Sequence, residues 1–117
     1  MDESILTSIK KLLGIAKDYD HFDTDIIMHI NSVLGALTQI GVGPKTGFSI
    51  SDDTAIWSDF IDPNPLLEMV KSYVYLKVRL LFDPPQASSV AEAMKNNAAE
   101  LEWRISVTVD PGDTFQA

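Results

Sequence analysis

The stretch between Asn64 and Pro85, NPLLEMVKSYVYLKVRLLFDPP, constrains the fold more than any other part of the chain. Asn64 is a favourable N-cap residue, and Pro65 suits the first helical position because its missing N–H would have no partner there. The prolines at the other end stop the helix, since a prolyl ring disfavours helical geometry in the residue before it. The pattern therefore predicts one helix with defined ends.

This predicted helix carries more large apolar side chains than one face can hold. Spacings of three and four residues predict a core-facing stripe, broken only by Lys77, and further apolar residues lie off it. A helix that is apolar on more than one side is central in a bundle or packs a second face against another chain, and we expect both. The stripe is Leu66, Val70, Tyr73, Val74, Lys77, Leu80 and Leu81; the off-stripe residues are Leu67, Met69, Tyr75, Leu76, Val78 and Phe82.

Length and composition are those of a single globular domain. The 117 residues, 45% of them hydrophobic and 22% charged, allow one core that buries roughly two-thirds of the unfolded surface. The chain has no cysteine, which excludes disulfides and thiolate chemistry. The acidic N-terminus does not read as a secretion signal, and no segment approaches about 20 uninterrupted apolar residues, so we expect a protein made in the cytosol with no membrane span.

The formal net charge of −8 at pH 7 argues against a protein that reads nucleic-acid sequence, because such proteins carry a basic face. Acidity keeps monomers apart in dilute solution. It also suits a surface past which a polyanion slides without sticking. Simple solubility explains the same charge, so composition leaves both interpretations open.

Apolar periodicity predicts two helices in the first part of the chain. The first covers residues 3–13 and ends at Gly14, and the second covers residues 24–40 and ends at Gly41, because glycine readily takes the left-handed conformation that terminates helices. Gly35 inside the second helix costs about 1 kcal/mol relative to alanine. A close contact with another helix or subunit would offset that cost.

Capping residues and spacing predict two more helices around the central one. Asp52 or Asp53 caps a short helix over residues 54–61, in which Trp57 is a core anchor or, less often, an interface hot spot. Residues 89–105 form the last helix, which opens on a capping box of serine and glutamate. Its apolar stripe is Val90, Met94, Ala98, Leu101 and Ile105.

An acidic loop before the second helix contains four aspartates and a histidine, which invites a metal hypothesis. The spacing does not match a calcium-binding EF-hand loop: counting from Asp18, the glycine position is Asp23 and the closing glutamate falls at His29. Helix capping explains the residues better, with Asp23 as the N-cap and Asp25 complementing the helix dipole.

Two segments have a different character from the helices. Residues 41–47 are turn-rich and residues 48–51 alternate like a short strand, which suits a loop that pairs with a neighbouring chain. The loop is not a phosphate-binding Walker loop, because it lacks the upstream glycine and a preceding strand. Residues 106–117 alternate briefly and then contain a turn signal, so we expect a polar tail that is disordered or docked on another subunit.

In this order the pieces resemble the small head–tail connector (adaptor) proteins of long-tailed bacteriophages and their prophages. The resemblance covers roughly the whole chain. The stretches that carry it are 22–26 leading into 30–34, 41–43 with 47–48, 57–60, and 70–85.

The resemblance implies a mainly helical structural subunit without enzymatic activity, catalytic residues or cofactor. Such subunits assemble into a ring, dodecameric by resemblance, beneath the portal protein. The ring extends the channel through which genomic DNA passes without sequence-specific binding, and it receives a tail-completion or stopper protein. The implied location is the virion neck, after synthesis in the host bacterial cytoplasm and without a membrane partner.

Taken together, the sequence predicts an all-α fold in one domain, 1–117, with a bundle of about four to five helices over 1–105 and a tail over 106–117. The short β-like loop would join that bundle. We predict no metal site and no cofactor site. The candidate interface residues are Gly43, Lys45, Phe48, Ile50, Trp57, Tyr75, Val78, Phe82, Val107, Val109 and Phe115.

Three of these residues, Tyr75, Val78 and Phe82, are candidates for the lateral contact in the ring, with burial in the subunit's own bundle as the equal alternative. Two other functional classes stay open. One is a small acidic helical regulator or inhibitor that acts in the cytosol by protein–protein binding. The other is a metal-dependent, nuclease-like enzyme built on the aspartates of the acidic loop, which would require tight divalent-ion binding.

Overall fold

The computed structural model describes residues 3–62 and 65–109 of the chain. Within these ranges there is no β-strand, only an isolated antiparallel bridge between Ser4 and Ile56. The predicted all-α fold is confirmed, whereas the proposed cap at Asn64 lies outside the described residues. The helices are α1 (Ile5–Leu13), α2 (Asp23–Gln39), α3 (Trp57–Phe60), α4 (Pro65–Phe82) and α5 (Ser88–Val109).

Helix α4 is the centre of the bundle, as predicted, because α1, α2 and α5 all pack against it. The predicted stripe on α4 is only partly right: Leu81 is 52% exposed, whereas Leu67, Leu76 and Val78 are buried. Three neighbouring helices enclose a wider arc of α4 than the single stripe that the spacing predicts. None of the helices in the described ranges has the length and apolar content of a membrane-crossing segment.

The glycine terminators of α1 and α2 were predicted correctly, whereas α1 begins at Ile5 with Ser4 as its N-cap and not at residue 3. The Ser4 hydroxyl accepts a hydrogen bond from the Thr7 N–H at 3.1 Å, and Gly14 and Gly41 adopt the left-handed conformation with φ of 82° and 100°. The capping prediction for Asp23 is wrong. Asp23 is the first residue of α2, and its carboxylate contacts a buried lysine instead of the helix backbone.

That lysine, Lys10, is only 2% exposed. Its ammonium group donates to the carbonyl oxygens of Lys17 at 3.1 Å and Tyr19 at 2.8 Å and lies 2.8 Å from Asp23 Oδ1. Two of its three N–H donors thus have a carbonyl acceptor, and the contact with Asp23 Oδ1 is an ion pair without hydrogen-bond geometry. Lys10 therefore holds the segment between α1 and α2 against the bundle.

Residues 48–51, predicted to be strand-like, do not form a strand. The Asn31 side chain on α2 accepts a hydrogen bond from the Ile50 N–H at 2.8 Å and donates one to the Ile50 carbonyl at 2.9 Å. One amide side chain thus occupies both backbone groups that a neighbouring strand would use. The partner of this segment is a side chain of the same subunit.

The short helix predicted over 54–61 is also smaller than expected. It begins at Trp57, so Asp52 does not cap it. The Asp52 carboxylate instead accepts bonds from the Thr54 hydroxyl and N–H, which hold the pKa of that carboxyl below its usual range. The Asp59 carboxylate accepts the Ile56 N–H at the start of α3.

Helix α5 is longer than predicted at both ends. It begins at Ser88, so the serine of the predicted capping box lies inside the first turn, and it continues through Val109. Residues 106–109 are therefore helical, which corrects the start of the predicted tail. The predicted stripe holds for Ala98 and Ile105, which are buried, but Val90 is 49% exposed.

The contact between α4 and α5 contains a buried tyrosine with a titratable hydroxyl. Tyr73 is 3% exposed, and its hydroxyl donates a hydrogen bond to Glu102 Oε1 at 2.8 Å. Burial, this bond and the nearby negative charge all raise the pKa of Tyr73 above its usual value.

Because the folded-state pKa of Tyr73 is raised, its contribution to stability is present below the unfolded pKa of about 10 and is lost as the pH rises beyond it. We expect the free energy of unfolding, measured with urea at pH 8 to 11, to fall more steeply above pH 10 in the wild type than in Tyr73→Phe. Equal slopes in the two proteins would contradict this assignment.

Candidate interaction surfaces

The described residues contain no arrangement suited to metal chemistry. No group of three or more histidine and carboxylate side chains in these ranges is placed to hold a metal ion. Among the aspartates of the acidic loop, Asp23 is paired with Lys10, while Asp18 and Asp20 are exposed. The geometry gives the nuclease-like hypothesis no support, so the candidate sites are surfaces.

Three of the predicted interface residues lie in the core of the subunit. Ile50, Trp57 and Val78 are 4%, 1% and 0% exposed, and the Trp57 indole N–H donates to the Ser8 hydroxyl at 2.9 Å. A partner has no access to these side chains, so they are not carried into the surfaces below. Trp57 takes the role of core anchor, the first of its two predicted alternatives.

Three of the predicted interface residues, Gly43, Lys45 and Phe48, lie in the loop after α2. Gly43 has φ of +81°, and a Cβ there would lie 2.5 Å from the Phe60 ring, so only glycine fits. The Phe48 ring packs 5.3 Å from the same Phe60 ring. Lys45 lies in the turn closed by the Gly47 N–H and is exposed. Lys45 therefore lies at the exposed tip of a loop that is anchored to its own subunit.

Tyr75 and Phe82 lie on a side of α4 that is only partly covered: both are half-buried, Tyr75 between α1 and α5, and Phe82 against Phe22 and against His29 of α2. They are seven residues apart, which places them on the same helix face. Around Tyr75 a depression of about 490 Å³ lies between Leu12 of α1 and Asn97 of α5. Around Phe82 a second depression of about 400 Å³ is lined by Leu13, Ile15, Phe22 and Asp83. The two depressions share no lining residue. We call them, together with the strip of α4 that joins them and carries Lys71, Tyr75, Arg79 and Phe82, the α4 groove.

An exposed aromatic cluster closes one end of the α4 groove. The Phe22 ring lies 5.4 Å from Phe82, 4.8 Å from His21 and 5.9 Å from Tyr19, and His29 lies 6.4 Å from Phe82. Phe22 is 37% and Tyr19 is 49% exposed. Lys10 positions this cluster, because it binds the Tyr19 carbonyl. His29 is half-buried against an aromatic ring, and sequence reasoning did not connect it with Phe82.

The second candidate surface is the outer face of α5. Trp103 is 66% exposed and Val107 is 36% exposed. Trp103 lies roughly 150° around the helix from the buried pair Ala98 and Ile105. Sequence reasoning missed Trp103; the available signal was a tryptophan far from the predicted stripe.

The remaining predicted residues divide between two places. Val107 belongs to the outer face of α5, whereas the half-buried Val109 packs against Gly41 of its own subunit. Phe115 lies outside the described residues. The predicted interface residues therefore form no single site: they divide among the core, the anchored loop, the α4 groove and α5.

Comparison with known proteins identifies the family. A family model described as "Phage connector protein" matches residues 5–112, which includes all five helices, the α4 groove and the outer face of α5. No curated protein and no solved structure matches the chain. The match spans far more than half of the sequence, and the family is one of structural proteins of the phage neck. The chain therefore belongs to the phage connector protein family.

Proposed function

We propose that this chain is a head–tail adaptor subunit that forms a closed ring beneath the portal protein and joins the capsid to the tail. The observation that carries the proposal is the family match over residues 5–112. In this role the ring, with twelve subunits by resemblance, extends the DNA channel and receives a tail-completion or stopper protein. The subunit is then a virion protein made in the host cytoplasm.

The distribution of exposed apolar side chains supports assembly. Leu12, Met28, Leu81 and Trp103 are each more than half exposed, at 53%, 57%, 52% and 66%, and they belong to four different helix surfaces. Exposed apolar side chains indicate an interface only where they cluster, as Tyr19 and Phe22 do beside Phe82 and as Trp103 and Val107 do on one face of α5. Surfaces at different places on one subunit suit a head-to-tail contact, which generates a ring when its rotation closes.

The charge of the chain supports a passive role toward DNA. A formal net charge of −8 disfavours tight binding to the phosphate backbone, because such binding depends on lysine and arginine contacts. In this proposal DNA moves through the ring without sequence-specific contacts. The exposed loop tip at Lys45 and residues 110–117, which lie outside the described ranges, are the proposed contacts with the portal or tail proteins.

Native mass spectrometry of the purified chain, with negative-stain images, tests the proposal across a range of concentrations with and without the portal protein of the same phage. We expect a closed ring, either alone or once the portal is added. A compact dimer that ignores the portal would overturn the proposal in favour of a cytosolic regulator. A monomer that stays monomeric with the portal present would overturn it as well.

A further inference from the structure

We infer that the lateral contact in the ring places the outer face of α5 from one subunit in the α4 groove of the next copy. This inference rests on the proposed ring and names the surfaces that close it. Two rows of side chains carry it, with identical spacings of four, four and three residues. The rows are Lys71, Tyr75, Arg79 and Phe82 on α4, and Glu92, Asn96, Glu100 and Trp103 on α5.

The α4 groove is open, and its two cations have local partners: Arg79 Nε donates to the Asp83 carbonyl oxygen at 2.5 Å, and Lys71 Nζ lies 5.9 Å from the centre of the Trp57 ring. Their carboxylate neighbours are less well placed. The side chains of Lys71 and Arg79 are 29% and 30% exposed, and their carboxylate neighbours Glu68 and Asp83 lie at 4.0 and 3.9 Å, which is the outer limit of an ion pair. The Arg79 guanidinium also reaches the Tyr75 hydroxyl at 3.4 Å. Exposed pairs of this kind contribute little, so a better-placed carboxylate can replace them.

A subunit cannot fill its own α4 groove with its own α5 outer face. Ala98 and Ile105 bury one side of α5 against the bundle, and Trp103 points away from it. The exposed row and the open groove therefore meet only between two molecules. Because both surfaces belong to this chain and lie at different places on it, the contact is head-to-tail, as ring closure requires.

Charge complementarity favours a second copy as the occupant and sets the register. Eight residues separate the two cations on α4 and the two carboxylates on α5, which is about 12 Å along either helix. With the helices parallel, Glu92 meets Lys71, and Glu100 meets Arg79 in place of its exposed intrahelical partner Arg104, which lies 2.8 Å away within the subunit. Helices that cross at about 20°, as in most helix bundles, stay close enough over this length for both pairs to form.

In the same register the uncharged members of the rows also meet. Asn96 lies over Tyr75, and Trp103 reaches Phe82, where Phe22 and Leu13 complete an apolar depression of about 400 Å³. Buried tryptophans dominate the energy of protein interfaces, whereas charges chiefly set register and partner. Trp103 is therefore the anchor of the contact, and the two ion pairs fix its alignment.

Charge-swap complementation tests this contact under the conditions in which the wild type forms its ring. One variant is Glu92→Lys/Glu100→Lys and the other is Lys71→Glu/Arg79→Glu. We expect neither to assemble alone, because like charges then face each other, and we expect a 1:1 mixture to form rings in which the two variants alternate. Lys95→Glu and Asp53→Lys are matched charge reversals outside both rows, and they should assemble as the wild type does.

The outcomes of this experiment distinguish an error in the proposed contact from an error in the proposed ring function. If either double variant assembles alone as well as the wild type, or the mixture fails to recover while the wild type forms rings, the contact is wrong and the ring proposal stands. If the wild type forms no ring with or without the portal, the proposed function fails instead. Circular dichroism of each variant excludes misfolding as the cause of failed assembly.

Cysteine cross-linking provides a second readout, because the chain has no native cysteine. The pair Asn96→Cys/Tyr75→Cys should give a ladder of disulfide-linked oligomers, whereas Lys95→Cys/Tyr75→Cys, one residue along α5, should not. Equal ladders from both pairs would overturn the register. Trp103→Ala should weaken assembly about tenfold or more, whereas Val90→Ala, which removes another exposed apolar side chain of α5, should not.

Discussion

Replacing Lys10 by methionine is expected to reduce the free energy of unfolding by about 3–5 kcal/mol, the usual cost of removing one partner of a buried ion pair. Methionine preserves the length and the apolar stem of the side chain. It leaves the carbonyls of Lys17 and Tyr19 without their donor and leaves the Asp23 carboxylate unpaired. Urea unfolding at pH 7, followed by circular dichroism, measures the loss.

Two variants separate the ion pair from general effects of the substitution. Lys11→Met removes a neighbouring but exposed lysine and should change stability by less than about 0.5 kcal/mol. Lys10→Met/Asp23→Leu removes both charges and should recover part of the loss, because no unpaired carboxylate remains. If Lys10→Met and Lys11→Met unfold at the same urea concentration, Lys10 is not the structural hub that its contacts indicate.

Loss of the Lys10 contacts should also affect the proposed assembly surface. The segment it holds between α1 and α2 carries Tyr19, and Phe22 follows shortly after. These rings pack on Phe82 or on one another at the end of the α4 groove. Loosening this segment removes one wall of the depression proposed for Trp103, so assembly should weaken before the subunit unfolds completely.

Local sequence rules predicted most helix positions in this fold. The left-handed glycines Gly14 and Gly41, the start of α4 at Pro65 and its central place in the bundle all follow from residue type and spacing. These features depend on neighbouring residues in the chain. The helix that sequence reasoning made too short, α5, continues past Ile105 without a terminator, because serine, valine and threonine do not by themselves stop a helix.

The errors share a physical cause: contacts between residues far apart in sequence. Residues 48–51 have a strand pattern, but the partner of Ile50 is the Asn31 side chain nineteen positions earlier. Aspartate is a favourable N-cap residue, but the role of Asp23 is decided by its contact with Lys10 on another helix. The spacing of apolar residues along the chain does not show which residues far apart in sequence come into contact.

The same limit applies to the candidate surfaces. Tyr75 and Phe82 were expected at an interface on the basis of their off-stripe positions, and so was Val78, which is fully buried. Residue spacing shows that a side chain lies outside the main apolar stripe of a helix. Whether the face that carries this side chain is buried depends on how many helices pack around it. Trp103 could have been identified from the sequence, because it lies on the face of α5 opposite the predicted stripe that contains Ala98 and Ile105.

Replacing Asn31 by alanine is expected to cost about 2 kcal/mol, because two partly buried backbone groups of Ile50 lose their hydrogen bonds at once. The loop should also open locally, so the amide hydrogen of Ile50 should exchange with solvent much faster than in the wild type. Hydrogen exchange followed by NMR measures this rate. Ser32→Ala, at the adjacent exposed position of α2, is the matched control and should leave the exchange of Ile50 unchanged.

Asn31→Asp provides a sharper test, because it retains the acceptor for the Ile50 N–H and replaces only the donor to the Ile50 carbonyl. At pH 7 the second carboxylate oxygen faces a carbonyl oxygen, which should raise the pKa of this aspartate in the folded state. Its stabilising contribution is therefore present below the unfolded pKa of about 3.9 and is lost as the pH rises through the folded value. Relative to Asn31→Ala, the variant should be more stable at pH 4 than at pH 7. If both variants show the same pH dependence, the Asn31 amide does not anchor the loop that carries Lys45 through both backbone groups of Ile50.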